Sequence, residues 1–484
     1  MTAPHAQRIA VIGAGAGGLT AAKYLRAEKC FSVIDIYEQR SATGGLWIHS
    51  PQISGDGIFS VPQTDPSPGP EIPVESGSSK DKVFISPVYD LLETNIPKDM
   101  MKFSDLDFPE HLPLFPKHED VKIYLQQYGK EVEDLISFDT QVTNIRVGSR
   151  PNTTWTLDSL HLPTGKRYIK EYDAIVVANG HYFVPCIPSI DGLREWSQKH
   201  PGSITHSKYY RSPAQFAGKK VVVVGSHASG LDISQQLTSA CQQPVYLSQK
   251  SVSEMAAGFK ANAGIQSIGQ IDRVDPGTRQ VTLKDGTILD AVDAIIFCTG
   301  YFYSFDFLKS ISPPLITHGN MVHGTYEHLF SVTHPSLSIL GLPQKVIPFP
   351  ITEMQAAVVA RVNSGRLFLP SPDILKKWEG ARLAKTGSED QFHTFGYPED
   401  AGYMDMLVDW AAQAEHRPGL ENDGKGKVAP KWSNRMRWMR DNIPKLRKAF
   451  SGLGEARIDV RTVEELGMNF DEEIAWKYKD IANL

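Results

Sequence analysis

The sequence has few cysteines and no long apolar stretch, and both absences exclude classes of protein. Among 484 residues there are four cysteines, none in a C-x-x-C pair or at a metal-ligand spacing, which argues against a disulfide framework or a cysteine-bound metal. We expect reduced core thiols at Cys30, Cys186, Cys241 and Cys298, and no metal site. No run of 18 or more apolar residues occurs, and the N-terminus leads directly into an apparent strand. We therefore expect a cytoplasmic protein without a membrane partner.

The sequence also lacks an excess of charge of one sign. It has 50 Lys and Arg against 55 Asp and Glu, a net charge of −5, so it has no basic field that would attract nucleic acid. Hydrophobic residues make up 41% of the chain, as in ordinary globular proteins. A chain of this length exceeds one ordinary core, so at least two domains are expected.

A glycine cluster near the N-terminus has the pattern G-x-G-x-x-G. It follows the apolar run 9–12, precedes a helical pattern, and consists of Gly13, Ala14, Gly15, Ala16, Gly17 and Gly18. In such a turn the glycines permit a tight bend, close approach to a pyrophosphate and close packing of helix on strand. A second strand, 33–38, ends at Glu38, whose carboxylate can accept hydrogen bonds from ribose hydroxyls. This unit predicts a dinucleotide site, which we assign to the ADP half of FAD.

The same βαβ pattern occurs a second time. The apolar strand 220–224 leads into Gly225, Ser226, His227, Ala228, Ser229 and Gly230, with His227 where the second glycine would stand. Lys250 lies 25 residues after Gly225, as Glu38 lies 25 residues after Gly13. A cation attracts the 2′-phosphate that a carboxylate would repel, so Lys250, with Ser248 beside it, predicts NADPH over NADH. A solvated surface lysine remains the alternative.

The two units predict an α/β fold with two Rossmann-like dinucleotide-binding domains, the NADPH domain being inserted into the FAD domain. The expected boundaries are 1–200 for the first part of the FAD domain, 201–304 for the NADPH domain, and 305–484 for the remainder with C-terminal helices. Residues 51–82, rich in Pro, Gly and Ser, predict a mobile insertion. The basic segment 431–449 predicts a helix packed on the body with its charges in water.

Several motifs together resemble the flavin-containing monooxygenases, from the N-terminus to about residue 372. The fingerprint F-x-G-x-x-x-H-x-x-x-Y/F-K/R is matched by Gly202, His206, Tyr210 and Arg211, with His200 replacing Phe. The remaining matches are Gly44, Gly45, Leu46, Trp47, Tyr89, Leu91, Thr94, Asn95, Pro97, Met100, Phe103, Cys298, Thr299, Gly300, Tyr301, Glu353, Gln355, Leu369, Pro370 and Ser371.

The resemblance implies an NADPH- and O₂-dependent monooxygenase. It would oxygenate a soft nucleophilic nitrogen or sulfur of a small molecule through a C4a-hydroperoxyflavin, with Asn95 as the catalytic amide. The candidate FAD-binding residues are Gly13, Ala14, Gly15, Ala16, Gly17, Gly18, Glu38, Gln39, Gly45, Leu46, Trp47, Thr94, Asn95, Val142 and Gln355. The candidate NADPH-binding residues are His206, Tyr210, Arg211, Ser226, His227, Ala228, Ser229, Gly230, Ser248, Lys250, Thr299 and Gly300.

Some alternatives stay open at this point. Asn95 could cap a turn before Ile96 and Pro97, since we expect residues 89–95 to form a short helix halted by that proline. Baeyer-Villiger enzymes close the fingerprint with Trp where this chain has Tyr210 and Arg211, which favours oxygenation of a heteroatom over a ketone. A disulfide reductase would need a redox cysteine pair, and Cys30 has no partner nearby. A non-oxygenating flavoprotein, the identity of the substrate and the formation of a homo-oligomer are left open.

Overall fold

The computed structural model describes residues 6–50, 58–75, 82–148, 154–250 and 263–470. The strands in these ranges are β1 (Arg8–Ile12), β2 (Val33–Tyr37), β3 (Val74–Glu75), β4 (Lys82–Val83), β5 (Ile136–Ser137), β6 (Thr140–Val147), β7 (Trp155–His161), β8 (Lys166–Tyr172), β9 (Ala174–Val177), β10 (Val184–Pro185), β11 (Ile204–His206), β12 (Lys220–Val224), β13 (Gln242–Ser248), β14 (Ile265–Ile268), β15 (Ile271–Asp275), β16 (Gln280–Leu283), β17 (Ile288–Leu289), β18 (Ala294–Phe297), β19 (Tyr301–Phe302), β20 (Thr325–Tyr326), β21 (Phe330–Ser331) and β22 (Leu337–Ile339). The helices are α1 (Ala16–Ala27), α2 (Lys98–Met101), α3 (His118–Gly129), α4 (Leu193–Lys199), α5 (Ala228–Leu237), α6 (Pro348–Asn363), α7 (Pro372–Thr386), α8 (Glu399–Ala412) and α9 (Asn434–Gly452).

A seven-stranded sheet combines strands from both ends of the chain. Its order is β20-β21-β22-β9-β1-β2-β5, and β5, β2, β1, β9 and β22 run parallel. Strand β9 is buried throughout, as expected for a parallel strand covered on both faces. Helices α1 and α6 pack against each other beside this sheet, and nearly all of α6 is buried.

A five-stranded sheet is built only from the middle of the chain. Its order is β11-β18-β12-β13-β14, with all strands parallel and α5 packed on β12 and β13. The unit β12-turn-α5-β13 therefore repeats β1-turn-α1-β2. This confirms the predicted α/β class with two Rossmann-like units.

Two antiparallel sheets accompany the parallel ones. Strands β6, β7 and β8 form one, and its residues Ile145, Trp155 and Leu157 are fully buried. Strands β15, β16 and β17 form the other. Within the described ranges, none of the helices combines the length and the apolar character needed to cross a membrane.

Three local predictions need correction. Residues 89–95 do not form a helix: Leu92 closes a single turn onto Tyr89, and Glu93 then pairs with Lys117 as an isolated β-bridge. The bridge uses backbone groups that a helix would need, and helix α2 begins only after Pro97.

The second correction concerns the insertion. Its described part, 58–75, is attached to the body, because Gln63 is buried and exchanges backbone hydrogen bonds with Ile187. Residues 51–57 and 76–81 of the insertion lie outside the described residues.

The third correction concerns helix α9. It packs on the body as predicted, but not all its charges lie in water. Arg437 is 1% exposed and forms an ion pair with Asp405.

Candidate active site

The first glycine turn joins β1 to α1 in a conformation that only glycine adopts easily. Gly13 has a φ of +102°, and a Cβ there would lie 2.7 Å from the carbonyl oxygen of Ala178. At Gly18 a Cβ would lie 1.8 Å from the carbonyl oxygen of Gly13, so the helix can approach the strand only without a side chain. The start of α1 thus offers free backbone N–H groups beside an open turn, which suits a pyrophosphate.

Glu38 connects this turn to the end of β2. Its Oε2 accepts a hydrogen bond of 2.8 Å from the Ala14 N–H, and its Oε1 accepts one of 2.8 Å from the Arg40 N–H. The side chain is buried, and burial raises the pKa of the carboxyl group, while Arg40 opposes the shift. A ribose placed at this end of β2 can therefore be bound by a fixed carboxylate.

Gln39 reaches toward the insertion. Its Nε2 donates to Glu71 Oε2 at 2.9 Å, and the other oxygen of Glu71 pairs with Lys208 Nζ at 2.9 Å. Lys208 is itself buried and follows β11, the edge strand of the five-stranded sheet. The insertion therefore links the two Rossmann-like units beside the first turn.

The second glycine turn repeats the first in its backbone. Gly225 has a φ of +109°, and a Cβ at Gly230 would lie 1.8 Å from the carbonyl oxygen of Gly225. His227, at the place of the second glycine, has φ −86° and ψ −171°, close to the −82° and −170° of Gly15. This backbone is open to any residue, so histidine is accommodated without strain. Neighbouring atoms partly desolvate the His227 ring, and this desolvation together with nearby Lys345 lowers the pKa of the ring.

The strand register corrects the position assigned to Lys250. Strand β1 pairs Ile12 with Tyr37, so Glu38 follows the last paired residue, whereas β12 pairs Val224 with Ser248. Gln249 therefore stands where Glu38 stands in the first unit, and Lys250 is one residue further on. Lys250 is exposed, and the Oε1 of Gln249 is buried without a hydrogen-bond partner in the described part of the chain.

A continuous cavity of about 2230 Å³ joins the two units. It touches the first turn and the start of α5, and it extends to the last turns of α9. The candidate residues that line it are Gly13, Gly15, Ala16, Gly17, Glu38, Gln39, Gly45, Leu46, Trp47, Thr94, Asn95, Val142, Ala228 and Ser229.

Asn95 lies on the wall of this cavity with its side chain exposed. Among the residues that the structure describes, its amide has no hydrogen-bond partner. The preceding backbone is fixed, because the Thr94 N–H donates to the Pro116 carbonyl at 2.9 Å and the Thr94 hydroxyl donates to the Ile96 carbonyl at 2.9 Å. With respect to the described part of the chain, the amide is thus available to a ligand, and the backbone that carries it is held by hydrogen bonds.

The fingerprint residues do not line the cavity; they connect the units behind it. His206 is fully buried, with Nε2 3.1 Å from the Gly300 carbonyl and Nδ1 accepting from the Lys208 N–H. The ring is therefore neutral and protonated on Nε2, and burial lowers its pKa to about 3. The guanidinium of Arg211 donates to Ser50 Oγ at 2.7 Å.

Tyr210 belongs to a hydrogen-bonded chain that crosses between the units. Its hydroxyl donates to Gln236 at 3.1 Å, and Gln236 Nε2 donates to Asp232 at 3.0 Å. Asp232 also accepts a hydrogen bond from the hydroxyl of Tyr89. Burial of Asp232 raises the pKa of its carboxyl group. The fingerprint thereby connects α5 to the segment that carries Asn95.

The remaining candidates lie beneath the cavity surface. Gln355 is fully buried, and its Oε1 accepts from the N–H of Gly341, which does line the cavity. The Thr299 hydroxyl donates to the Cys186 carbonyl, and the Ser248 hydroxyl donates to the Gly269 carbonyl at 2.9 Å. Ala14, Gly18, Ser226 and Gly230 are buried, whereas Gly300 is exposed but does not line the cavity.

The sequence reasoning missed one wall of the cavity. Residues of α9 and of the following 3-10 helix, Gly454–Asp459, line it. It also missed His181, which lines the cavity, is 7% exposed and has a pKa lowered by burial to about 4. A local signal for His181 existed, since it follows Asn179 and Gly180 directly after the buried strand β9.

Comparison with known proteins identifies the family. Residues 78–261 and 270–420 match the family described as flavin-binding monooxygenase-like, and residues 11–62 match an NAD(P)-binding Rossmann-like domain. The thiol-specific monooxygenase of Saccharomyces cerevisiae is 35% identical over 379 residues, covering 75% of this chain and 78% of that protein. The chain belongs to the flavin-containing monooxygenase family.

Two further proteins are similar to this flavin-containing monooxygenase over a larger share of its chain. The flavin-containing monooxygenase FMO GS-OX-like 2 of Arabidopsis thaliana is 35% identical over 436 residues, 86% of each chain. The solved structure of S-allyl-L-cysteine S-oxygenase from Allium sativum superposes with a TM-score of 0.74 at 27% identity and covers 98% of both chains. The chain is therefore an FAD- and NADPH-dependent monooxygenase, which confirms the enzyme class and cofactors expected from the sequence.

The residues present fit both cofactors of the family. At the first turn Gly13, Gly15 and Gly17 line the cavity without side chains, and Glu38, whose carboxylate accepts from the Ala14 N–H, lines the same cavity. The second turn has the same backbone, but Gln249 replaces the acid, so no carboxylate at this register opposes a 2′-phosphate.

Proposed function

We propose that this monooxygenase transfers one oxygen atom of O₂ to a soft nucleophilic nitrogen or sulfur of a small molecule, at the expense of NADPH. The observation that carries the proposal is the cavity that joins the first glycine turn to the start of α5 and exposes the Asn95 amide. The names of two relatives support a heteroatom: one is a thiol-specific monooxygenase and another is an S-allyl-L-cysteine S-oxygenase.

We assign the two cofactors to the two units. In this proposal FAD lies against the first turn, with Glu38 on its ribose and Gly45, Leu46 and Trp47 along its length. NADPH lies against α5, with Lys250 at its 2′-phosphate. The domain boundaries 1–200, 201–304 and 305–484 belong to the same proposal.

Bound FAD supplies the redox and oxygen chemistry, and the chain has to position and shield it. Asn95 presents an amide that can donate a hydrogen bond without reorganisation, because its backbone is held through Thr94. Gln355 keeps the N–H of Gly341 in place at the cavity surface. The hydrogen bonds from Tyr210 to Gln236 and on to Asp232 hold α5 against residues 89–95, the Asn95 segment. This contact keeps the two cofactor sites at a fixed distance.

The test is a substrate panel with product and peroxide measured together. Amines, thioethers, thiols, indoles and ketones are offered separately, and NADPH consumption is compared with oxygenated product and released peroxide. We expect stoichiometric oxygenation of at least one nitrogen or sulfur compound and peroxide alone with ketones. Lactone or ester formation from ketones, with only peroxide from every heteroatom compound, would show a Baeyer-Villiger enzyme instead.

A further inference from the structure

Glu93 is shared by two arginines of the C-terminal segment. Its Oε1 lies 2.8 Å from Arg457 Nη2, and its Oε2 lies 3.2 Å from Arg447 Nη2. The Glu93 side chain is only 13% exposed, against 18% for Arg447 and 32% for Arg457. Solvent therefore screens this pairing less than it screens a surface salt bridge, and removal of one partner leaves a charge poorly hydrated.

The pairing reaches the backbone next to Asn95. Arg447 Nη1 donates to the Thr94 carbonyl at 3.2 Å, while the Thr94 N–H donates to Pro116. The backbone of Thr94, just before Asn95, is thus hydrogen-bonded on both sides: its N–H to Pro116 and its carbonyl to Arg447 of the C-terminal segment.

The segment 443–458, which carries both arginines, lines the cavity and forms its C-terminal wall. Ile443, Ala449 and Ile458 line the cavity together with Arg447 and Arg457. Helix α9 is attached at the same place by Phe450, whose ring centroid lies 4.8 Å from that of Phe115. Beyond it, the Leu114 N–H donates to the Val460 carbonyl at 2.8 Å.

The opposite end of the Asn95 segment is fixed to the NADPH-binding unit. The Tyr89 hydroxyl donates to Asp232 on α5, and the Tyr89 ring packs against Tyr210 at 5.4 Å. Residues 89–95 therefore span from α5 to the C-terminal wall, and Glu93 is the contact on the wall side.

We infer that Glu93 is a positioning residue, which holds the C-terminal wall against the Asn95 segment and so fixes the Asn95 amide and excludes water. This inference deepens the proposed function and rests on it for the role of Asn95. Glu93 itself touches neither cofactor turn, so its loss should leave FAD binding and reduction by NADPH intact. The defect should appear in the use of O₂, as NADPH consumed without product.

The experiment compares Glu93→Gln, Arg457→Gln and the double variant with the full-length holoenzyme. Flavin per chain, thermal stability, the rate of anaerobic reduction by NADPH, and the rate of NADPH oxidation without any substrate are measured for each. We expect flavin content and reduction near wild type, and substrate-free oxidation faster by about threefold to tenfold, as for the loss of one charge-assisted hydrogen bond. The double variant should be little worse than Glu93→Gln, because Glu93→Gln already removes the pairing with Arg457 together with that of Arg447.

Arg435→Gln is the matched control. Arg435 forms an ion pair of 2.6 Å with Glu464 on the same C-terminal segment, with side chains 38% and 42% exposed, and it does not line the cavity. We expect wild-type behaviour from it. Glu93→Asp, which keeps the charge on a shorter side chain, should recover part of the wild-type coupling.

Two results would overturn the inference. One is an unchanged substrate-free oxidation rate in well-folded Glu93→Gln. The other is a loss of flavin and thermal stability that fully accounts for the change in the substrate-free oxidation rate, which indicates a purely structural role. If Glu93→Gln does not fold, Arg457→Gln decides by the same criteria. Failure of the proposed function is distinguishable, since it shows as wild-type protein that oxygenates no nitrogen or sulfur compound in the panel.

Discussion

The N–H of Ala14 donates a 2.8 Å hydrogen bond to Glu38 Oε2, which joins the glycine turn to the residue that follows β2. The carboxylate thus stabilises the turn and also remains available to bind a ribose. In the second unit Gln249 occupies this register, and the Gly225 N–H donates to the Ser248 carbonyl at 2.9 Å, as the Gly13 N–H donates to the Tyr37 carbonyl at 2.8 Å in the first unit. The two turns therefore share this backbone closure and differ in the residue that follows the second strand.

Replacement of Gly15 should separate folding from flavin binding. A Cβ at Gly15 meets nothing nearer than the Cα of Gly45, at 3.5 Å, and the backbone there is extended, so Gly15→Val should fold. Its branched side chain would occupy the space over the turn where a pyrophosphate must lie. We expect folded protein that purifies without flavin, as checked by absorbance and circular dichroism.

Gly380→Ala is the control for this variant. Gly380 lies inside α7 with nothing within 4 Å of a Cβ, so alanine should stabilise the helix by about 0.5–1 kcal/mol and leave the flavin bound. A yellow Gly15→Val protein with a full complement of FAD would show that the first turn does not bind it.

The NADPH preference should depend on Lys250 and on the absence of an acid at Gln249. Loss of a charge-assisted phosphate contact costs about 1.5–3 kcal/mol, so Lys250→Ala should raise the KM for NADPH roughly tenfold to a hundredfold. The KM for NADH should barely change. Gln249→Glu should also weaken NADPH use, because a carboxylate at the register of Glu38 repels the 2′-phosphate.

Steady-state kinetics with both nucleotides test these variants, with Lys284→Ala as an exposed control on the hairpin between β16 and β17. An equal loss with NADPH and NADH for Lys250→Ala would indicate a structural lysine. In that case the phosphate would be bound elsewhere on the second unit.

The two βαβ units could be predicted from the sequence because the patterns that identify them are local. A glycine pattern between a short apolar strand and a helix specifies turn, strand and helix within about twenty residues. Counting from the glycine placed Lys250 where the structure has Gln249, because the offset between the last paired residues is 25 in the first unit, from Ile12 to Tyr37, but 24 in the second, from Val224 to Ser248. A pairing offset depends on how the two strands meet in space, including a register shift between Lys220 and Val222, and no local sequence pattern specifies it.

The C-terminal wall was missed for a different physical reason. It depends on Arg447 and Arg457 meeting Glu93, more than 350 residues earlier in the chain. On a helical pattern alone, such arginines are typical of a solvated face. The fingerprint was found correctly, but its pattern could not tell that His206 and Arg211 would be buried behind the cavity.

Acid should destabilise the protein through its buried neutral histidines. Burial lowers the pKa of His206 to about 3 in the folded protein, and the nearby charge of Lys208 adds to the shift, while the hydrogen bond to the Gly300 carbonyl opposes it. The unfolded chain therefore takes up the proton first, and stability present above about pH 6.5 is lost as pH falls toward 3, by about 1.4 kcal/mol per pH unit for one such group.

His206→Gln should be less stable at neutral pH and should lose less stability on acidification than wild type. Denaturant unfolding at a series of pH values between 7 and 4 measures both effects. His318→Gln, at an exposed site, should follow the wild-type curve. Equal slopes for wild type and His206→Gln would mean that burial does not hold the ring of His206 neutral.

Asn95 should act after both cofactors are bound and the flavin is reduced. Its side chain lies on the cavity wall, while the turn around it is held by the backbone of Thr94 and Glu93 rather than by its own amide. Asn95→Asp and Asn95→Ser should therefore retain FAD, thermal stability and anaerobic reduction by NADPH. Product per NADPH should fall and peroxide should rise, by about tenfold or more for loss of a preorganised donor.

A conservative control separates this effect from a general response to the change of amide to acid. Asn434→Asp makes the same chemical change at the start of α9, away from the cavity, and should behave as wild type. If Asn95 only caps a turn, its variants should instead lose stability and flavin together while product per NADPH stays normal. Because Glu93→Gln is expected to loosen the same amide, an Asn95→Ser, Glu93→Gln double variant should release no more peroxide than Asn95→Ser alone. Additive defects would mean that Glu93 acts on the cavity by another route.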